Sequence, residues 1–115
     1  MKNEVDRRSL LSQAPGREQQ VTFFALRCLG IIESLTSGLI GAKDSRKMFF
    51  HAENCLFVRK TMKETVADGI MSHGVQLPDI FDSLLAEEAQ REFQRELTKL
   101  HSLCLKLLEG QRIAA

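Results

Sequence analysis

A chain of 115 residues is long enough to bury roughly two thirds of its unfolded surface around one core without help from metal or disulfides. Hydrophobic residues at 43% and charged residues at 27% exclude the collagen-like, disordered and disulfide-scaffold classes. Sixteen basic side chains against fifteen acidic leave a formal net charge of +1, so no overall field selects nucleic acid or anionic lipid as a partner.

In chain order, residues 1–16 read as a partly ordered lead with room for a brief helix over 3–11, closed by Pro15-Gly16, where proline fixes φ and glycine frees it. The lead mixes charge signs and contains no apolar run of signal-peptide length, so export by that route is not expected. From residue 17 to 37, Val21, Phe24, Ala25, Cys28, Leu29, Ile32 and Leu35 recur at helical spacing, with Gly38 in position to end the helix. Phe23, Leu26 and Ile31 widen the apolar face, which predicts a central helix enclosed on more than one side. Residues 21–40 match a bilayer in length. Arg27 and Glu33 interrupt them, and each charge placed centrally costs about 3 kcal/mol, so the reading is a core helix with no membrane partner.

A short helix is expected over 42–51. Residues 52–62 fit either a helix or a brief strand, since the run Cys55-Leu56-Phe57-Val58 has no readable period; Ala, Leu, Lys and Arg content favours helix. A fourth helix over 65–73 is expected to stop at Gly74, and Pro78 suits the first turn of another, with Asp79 and Asp82 near its positive end. The clearest period is last: Ala86, Gln90, Phe93, Leu97, Leu100, Cys104 and Leu107 alternate steps of four and three in a heptad-like seam, with Gly110 as the expected stop. No convincing strand alternation, hairpin pair or internal repeat occurs, and Asp68-Gly69 falls inside helical periodicity. The expected fold is all-α: a compact bundle of about five helices with a long C-terminal helix, one domain over residues 17–110 and a tail over 111–115.

Candidate chemistry is sparse. His51, His73 and His101 lie on three different expected elements, and His51 with Cys55 has ligand spacing only if one helix is continuous through 52–54. His101 beside Cys104 has the composition of a base and a thiol nucleophile, but the seam already uses Cys104 as a small hydrophobe. Asp79 and Asp82 suit a helix N-terminus better than an acid and base pair. With no phosphate loop, dinucleotide fingerprint, nucleophile elbow or metal-binding motif in the chain, the expectation is a protein that is not an enzyme and has no catalytic residue, cofactor or metal. Three cysteines spread one per segment fit a reducing, cytoplasmic compartment.

Charge is uneven along the chain. Lys43, Arg46, Lys47, Arg59, Lys60 and Lys63 outnumber Asp44 and Glu53, whereas from residue 64 to 96 eight acidic residues face only Arg91 and Arg95. Such blocks either steer a partner or a second copy into register, or neutralise each other within one molecule. Nucleic-acid binding through 43–63 is the alternative reading; the lack of Tyr and Trp argues against a stacking platform, and the segment 52–54 has no glycine for a helix-turn-helix.

The stretches LGIIESLTSGLI (residues 29–40) and GVQLPD (residues 74–79) resemble an uncharacterised family of short bacterial proteins with an LGIIESLxxGxI core. The resemblance covers about residues 22–85; it implies a bacterial cytoplasmic origin and carries over no activity and no functional residue. By elimination the expected role is a noncatalytic protein-protein interaction module, of the kind small inhibitors, immunity factors and adaptors represent. Phe93, Leu97, Leu100, Leu103, Cys104 and Leu107, with Leu108, are the expected interaction surface, because their apolar area looks larger than one small domain must bury. Two such helices would then pair as a homodimer.

Overall fold

Among the described residues, the first helix begins after Gly16 and ends where Gly38 permits a left-handed turn. The computed structural model describes residues 16–114, with side chains over 16–111; the brief helix expected over 3–11 lies outside the described residues. Helix α1 is Arg17–Thr36. Beyond its end Gly38 adopts φ +75°, donating to the Leu35 carbonyl at 3.2 Å, while Leu39 reaches back to Ser34 at 2.9 Å. These two bonds form the Schellman arrangement, and they satisfy carbonyls that the helix end would leave orphaned.

Helix α2 follows at Ala42–Met48. Asp44 turns back to accept the Gly41 N–H at 2.9 Å, the carboxylate half of a capping box. Ser45 is fully buried yet satisfied: its Oγ donates to Ala42 O at 2.7 Å, and its carbonyl accepts from both Phe49 and Phe50 at 2.9 Å. Residues 52–62, open between helix and strand in sequence, are helical: α3 is Ala52–Phe57 and continues as one π turn, Val58–Met62. Lys63 ends it in the left-handed region at φ 51° and donates to Val58 O at 2.8 Å. Arg17 closes this end, its guanidinium donating to Met62 O at 2.7 Å and Lys63 O at 3.1 Å. The start of α1 is thereby tied to the end of the π turn.

Helix α4 spans Thr65–Val75 and α5 spans Leu77–Ser83, with Pro78 in its first turn. Gly74 does not stop α4. It lies buried inside the helix because a β-carbon there would overlap the Phe50 ring; packing, and no left-handed turn, explains that glycine. Arg46 of α2 donates to Val75 O at 2.8 Å and pairs with Asp79 at 3.2 Å, joining α2 to the α4–α5 junction. The last helix, α6, is Ala86–Ala114. It runs through Gly110 into the expected tail, because a glycine ends a helix only when it turns left-handed and among the described glycines only Gly38 has positive φ.

At 1.5 Å per residue α6 is about 44 Å long, the longest of the described helices. Its most extensive packing is against α1, and α4 and α5 pack on it as well. The α1–α6 pair is antiparallel: Cys28 meets Cys104, and Thr36 further along shares a shallow cavity with Gln94. Val21, Phe24, Cys28, Ile32 and Leu35 from α1 meet Phe93, Leu97, Leu100, Cys104 and Leu107 from α6 in one continuous core, completed by Phe49, Phe50, Val58, Met62, Ile70, Met71 and Leu77. The described residues contain no strand, and the fold is the all-α bundle with a long final helix. No described helix is long and apolar enough to cross a membrane.

Candidate functional site

The six residues expected to face a partner are inside the molecule. Phe93, Leu97, Leu100, Cys104 and Leu107 are buried and Leu103 is partly buried against the same core. The heptad-like seam of α6 has found its partner within the chain, in α1. Apolar area that looked surplus along one helix is consumed because α1 and α4 cover it from two directions. This overturns the surface argument for those six positions.

The histidines stay apart. His51 is the N-cap of α3, where Nδ1 accepts the Asn54 N–H at 3.3 Å; the helix starts after it, so it and Cys55 do not share a helical face. His101 is exposed while Cys104 is buried, so no thiol and imidazole pair forms. His73 on α4 stands 3.2 Å from Glu96 on α6, which also holds Lys99 at 3.4 Å. His73 and Glu96 border an open cleft of about 460 Å³ together with Asp79, Ser83 and Glu92. Ser83 Oγ donates to Asp79 O at 2.9 Å, a bond within its own helix. Among the described residues no group of three or more His, Cys, Asp and Glu side chains is placed to hold a metal ion.

Cys28 and Cys104 form a buried thiol pair between the two longest helices. Cys28 donates to the Cys104 sulfur; that bond, with burial, pushes the Cys28 thiol far above its ordinary range. The same bond draws Cys104 down against the opposing effect of burial. Cys55, partly exposed, is raised by desolvation and lowered in part by Arg59.

Part of the uneven charge is neutralised within the molecule. Arg46 pairs with Asp79, Arg59 with Asp68 at 3.4 Å, and Arg17 with Glu64 at 3.7 Å. Two of the six basic residues of the 43–63 block are thus directed at carboxylates of the acidic block. These pairs are half exposed and worth about 0–1 kcal/mol each.

Sequence reasoning missed an aromatic groove between α1 and α3. Phe24, Phe49 and Val58 are its buried members, while Phe23 at 60% and Phe57 at 43% exposure stand at its edges. Gln20, Asn54 and Arg27 supply its polar atoms, and its volume is about 330 Å³. Arg27 lies 5.6 Å from the centre of the Phe49 ring, within the range of a cation–π contact. No described carboxylate lies within 4 Å of it. Helical spacing assigned Phe23 and Leu26 to a widened core face; the available signal was that α1 has more apolar positions than one helix neighbour on each side can cover. Comparison with protein families, with curated proteins and with solved structures returns no match to this chain.

Proposed function

We propose that the chain is a noncatalytic protein-binding module that captures its partner in the α1–α3 groove. One observation carries the reading: two half-exposed phenylalanines, Phe23 and Phe57, flank a floor of buried aromatic residues whose only charged lining group is Arg27. Exposed aromatic rings beside a preformed apolar floor are costly in water and are what interface anchors are made of. The chemistry they fit is a protein segment that offers apolar side chains and a carboxylate to meet the guanidinium. An inhibitor, immunity factor or adaptor of bacterial, cytoplasmic type is the role this surface suits.

The test compares wild type with Phe23→Asp and Phe57→Asp in retrieval from the native cell. Leu39→Asp, at a position 78% exposed outside the groove lining, is the control. The retrieved protein is identified, purified and titrated against each chain. Loss of an aromatic anchor costs about 2 kcal/mol or more, so each groove variant should bind about thirty-fold more weakly while Leu39→Asp binds as wild type. Equal binding by all four chains would end the groove reading.

A further inference from the structure

We infer that the occupant of the groove is a second copy of this chain, which inserts the corner between α5 and α6. The inference rests on the groove reading above and names its partner. At that corner Leu85 is 76% exposed and Leu84 is 39% exposed, beside Phe81 at 43%. Leu85 holds the N-cap position of α6, its carbonyl accepting the Ala89 N–H at 2.7 Å. Helix N-caps favour Ser, Thr, Asn and Asp, whose side chains satisfy the orphan amides. Leucine satisfies none, so two adjacent leucines projecting into water at a helix start break a local rule with no return inside the monomer.

The surroundings of the corner complement the groove. Asp82, Glu87 and Glu88 flank the leucines, all exposed, and no described cation stands within 4 Å of their carboxylates. The groove has the reverse pattern, apolar walls with Arg27 as its one charge. Leucines entering between Phe23 and Phe57 would carry those carboxylates toward the guanidinium.

Geometry makes this pairing intermolecular. The groove lies along the first half of α1, and the antiparallel packing sets that half beside the Cys104 end of α6. The corner is at the other end of α6, about 28 Å away along the helix at 1.5 Å per residue. A copy cannot reach its own groove with its own corner. Because the two surfaces differ, the contact is head-to-tail, and each pair retains one free groove and one free corner, so growth continues until a ring closes or a chain of copies results.

Sedimentation velocity on the full chain tests this, run from micromolar to hundreds of micromolar at low and high salt. Wild type should associate as concentration rises, and more weakly at high salt, where the Arg27 and carboxylate attraction is screened. Leu85→Asp and Phe23→Asp, both at positions exposed in the monomer, should each remain monomeric with wild-type circular dichroism. Mixed in equal amounts they should form a one-to-one dimer and stop there, since Leu85→Asp keeps an intact groove and Phe23→Asp keeps an intact corner. Their mutual affinity should exceed the self-affinity of either by about ten-fold or more. Wild type that stays monomeric throughout overturns the inference, as does a mixture that stays monomeric. If wild type is monomeric but a different protein is still lost from Phe23→Asp, the groove reading survives and only the identity of its occupant is refuted. Self-association lost in Leu85→Asp but kept in Phe23→Asp overturns the inference, since the corner then docks somewhere other than the groove.

Discussion

Replacing Gly74 by alanine probes how α4 sits on the Phe49–Phe50 pair. A β-carbon at residue 74 overlaps three atoms of the Phe50 ring, Cδ1, Cε1 and Cγ, so the whole ring must move. That ring is fully buried and stands edge-on to Phe49 with 5.1 Å between centroids, leaving no solvent side to retreat to. Overpacking a tight core costs about 1–3 kcal/mol, and displacement of an entire buried ring belongs near about 3. Alanine returns up to about 1 kcal/mol of helix propensity. The net loss is about 2 kcal/mol, or a melting temperature lower by about 8 °C for a domain of this size. Gly30 and Gly69 are the matched controls: a β-carbon at either meets nothing within 4 Å, so alanine there should stabilise by about 0.5–1 kcal/mol. Urea unfolding followed by helical circular dichroism reads all three. Adding Phe50→Leu to Gly74→Ala should cost less than the sum of the separate losses, since the smaller side chain removes the overlap. If Gly74→Ala proves as stable as Gly30→Ala, the close-packing account of this glycine is refuted.

Two further outcomes follow from the core. Leu100 is fully buried, so Leu100→Ala should lose about 2–5 kcal/mol, against about 0.5 kcal/mol or less for Leu105→Ala, which is 42% exposed on the same helix; equal losses in urea would remove α6 from the core. The Cys28 thiol is held well above its ordinary value of 9.0, so above about pH 9 the unfolded chain releases a proton that the folded chain keeps. That contribution is complete below the unfolded value and is lost above it by about 1.4 kcal/mol per pH unit, while Cys104, drawn down, acts in the opposite sense only below that point. Denaturation midpoints measured from about pH 8 to about pH 10 should fall in wild type and lose this component in Cys28→Ala; an unchanged slope in Cys28→Ala would show that the buried pair is not its source.

Local periodicity decided much about this protein. The steps of three and four in α1 and α6 reported which residues are apolar together, and most of those residues are buried: Val21, Phe24, Ala25, Cys28, Ile32 and Leu35 on one helix, Phe93, Leu97, Leu100, Cys104 and Leu107 on the other, whereas Leu29 is only partly buried, Ala86 and Gln90 at the start of the α6 seam are exposed, and Ala89 is buried in their place. Gly38 could be placed at a helix end because a left-handed residue after a helical run is a local matter, and so could Pro78 in a first turn. A period names a face but not what covers it. Whether the α6 seam meets a second molecule or α1 depends on how helices far apart in sequence cross, and that came only with the tertiary structure. Gly74 and Gly110 show the same division. Alone, each looks like a helix stop; one is a contact with Phe50, distant in sequence, and the other simply continues in an exposed turn. Exposure of Phe23, Phe57 and Leu85 likewise could not be read from residue type, because hydrophobicity records a preference for burial, and only the packed arrangement of the other helices determines which preferences go unmet.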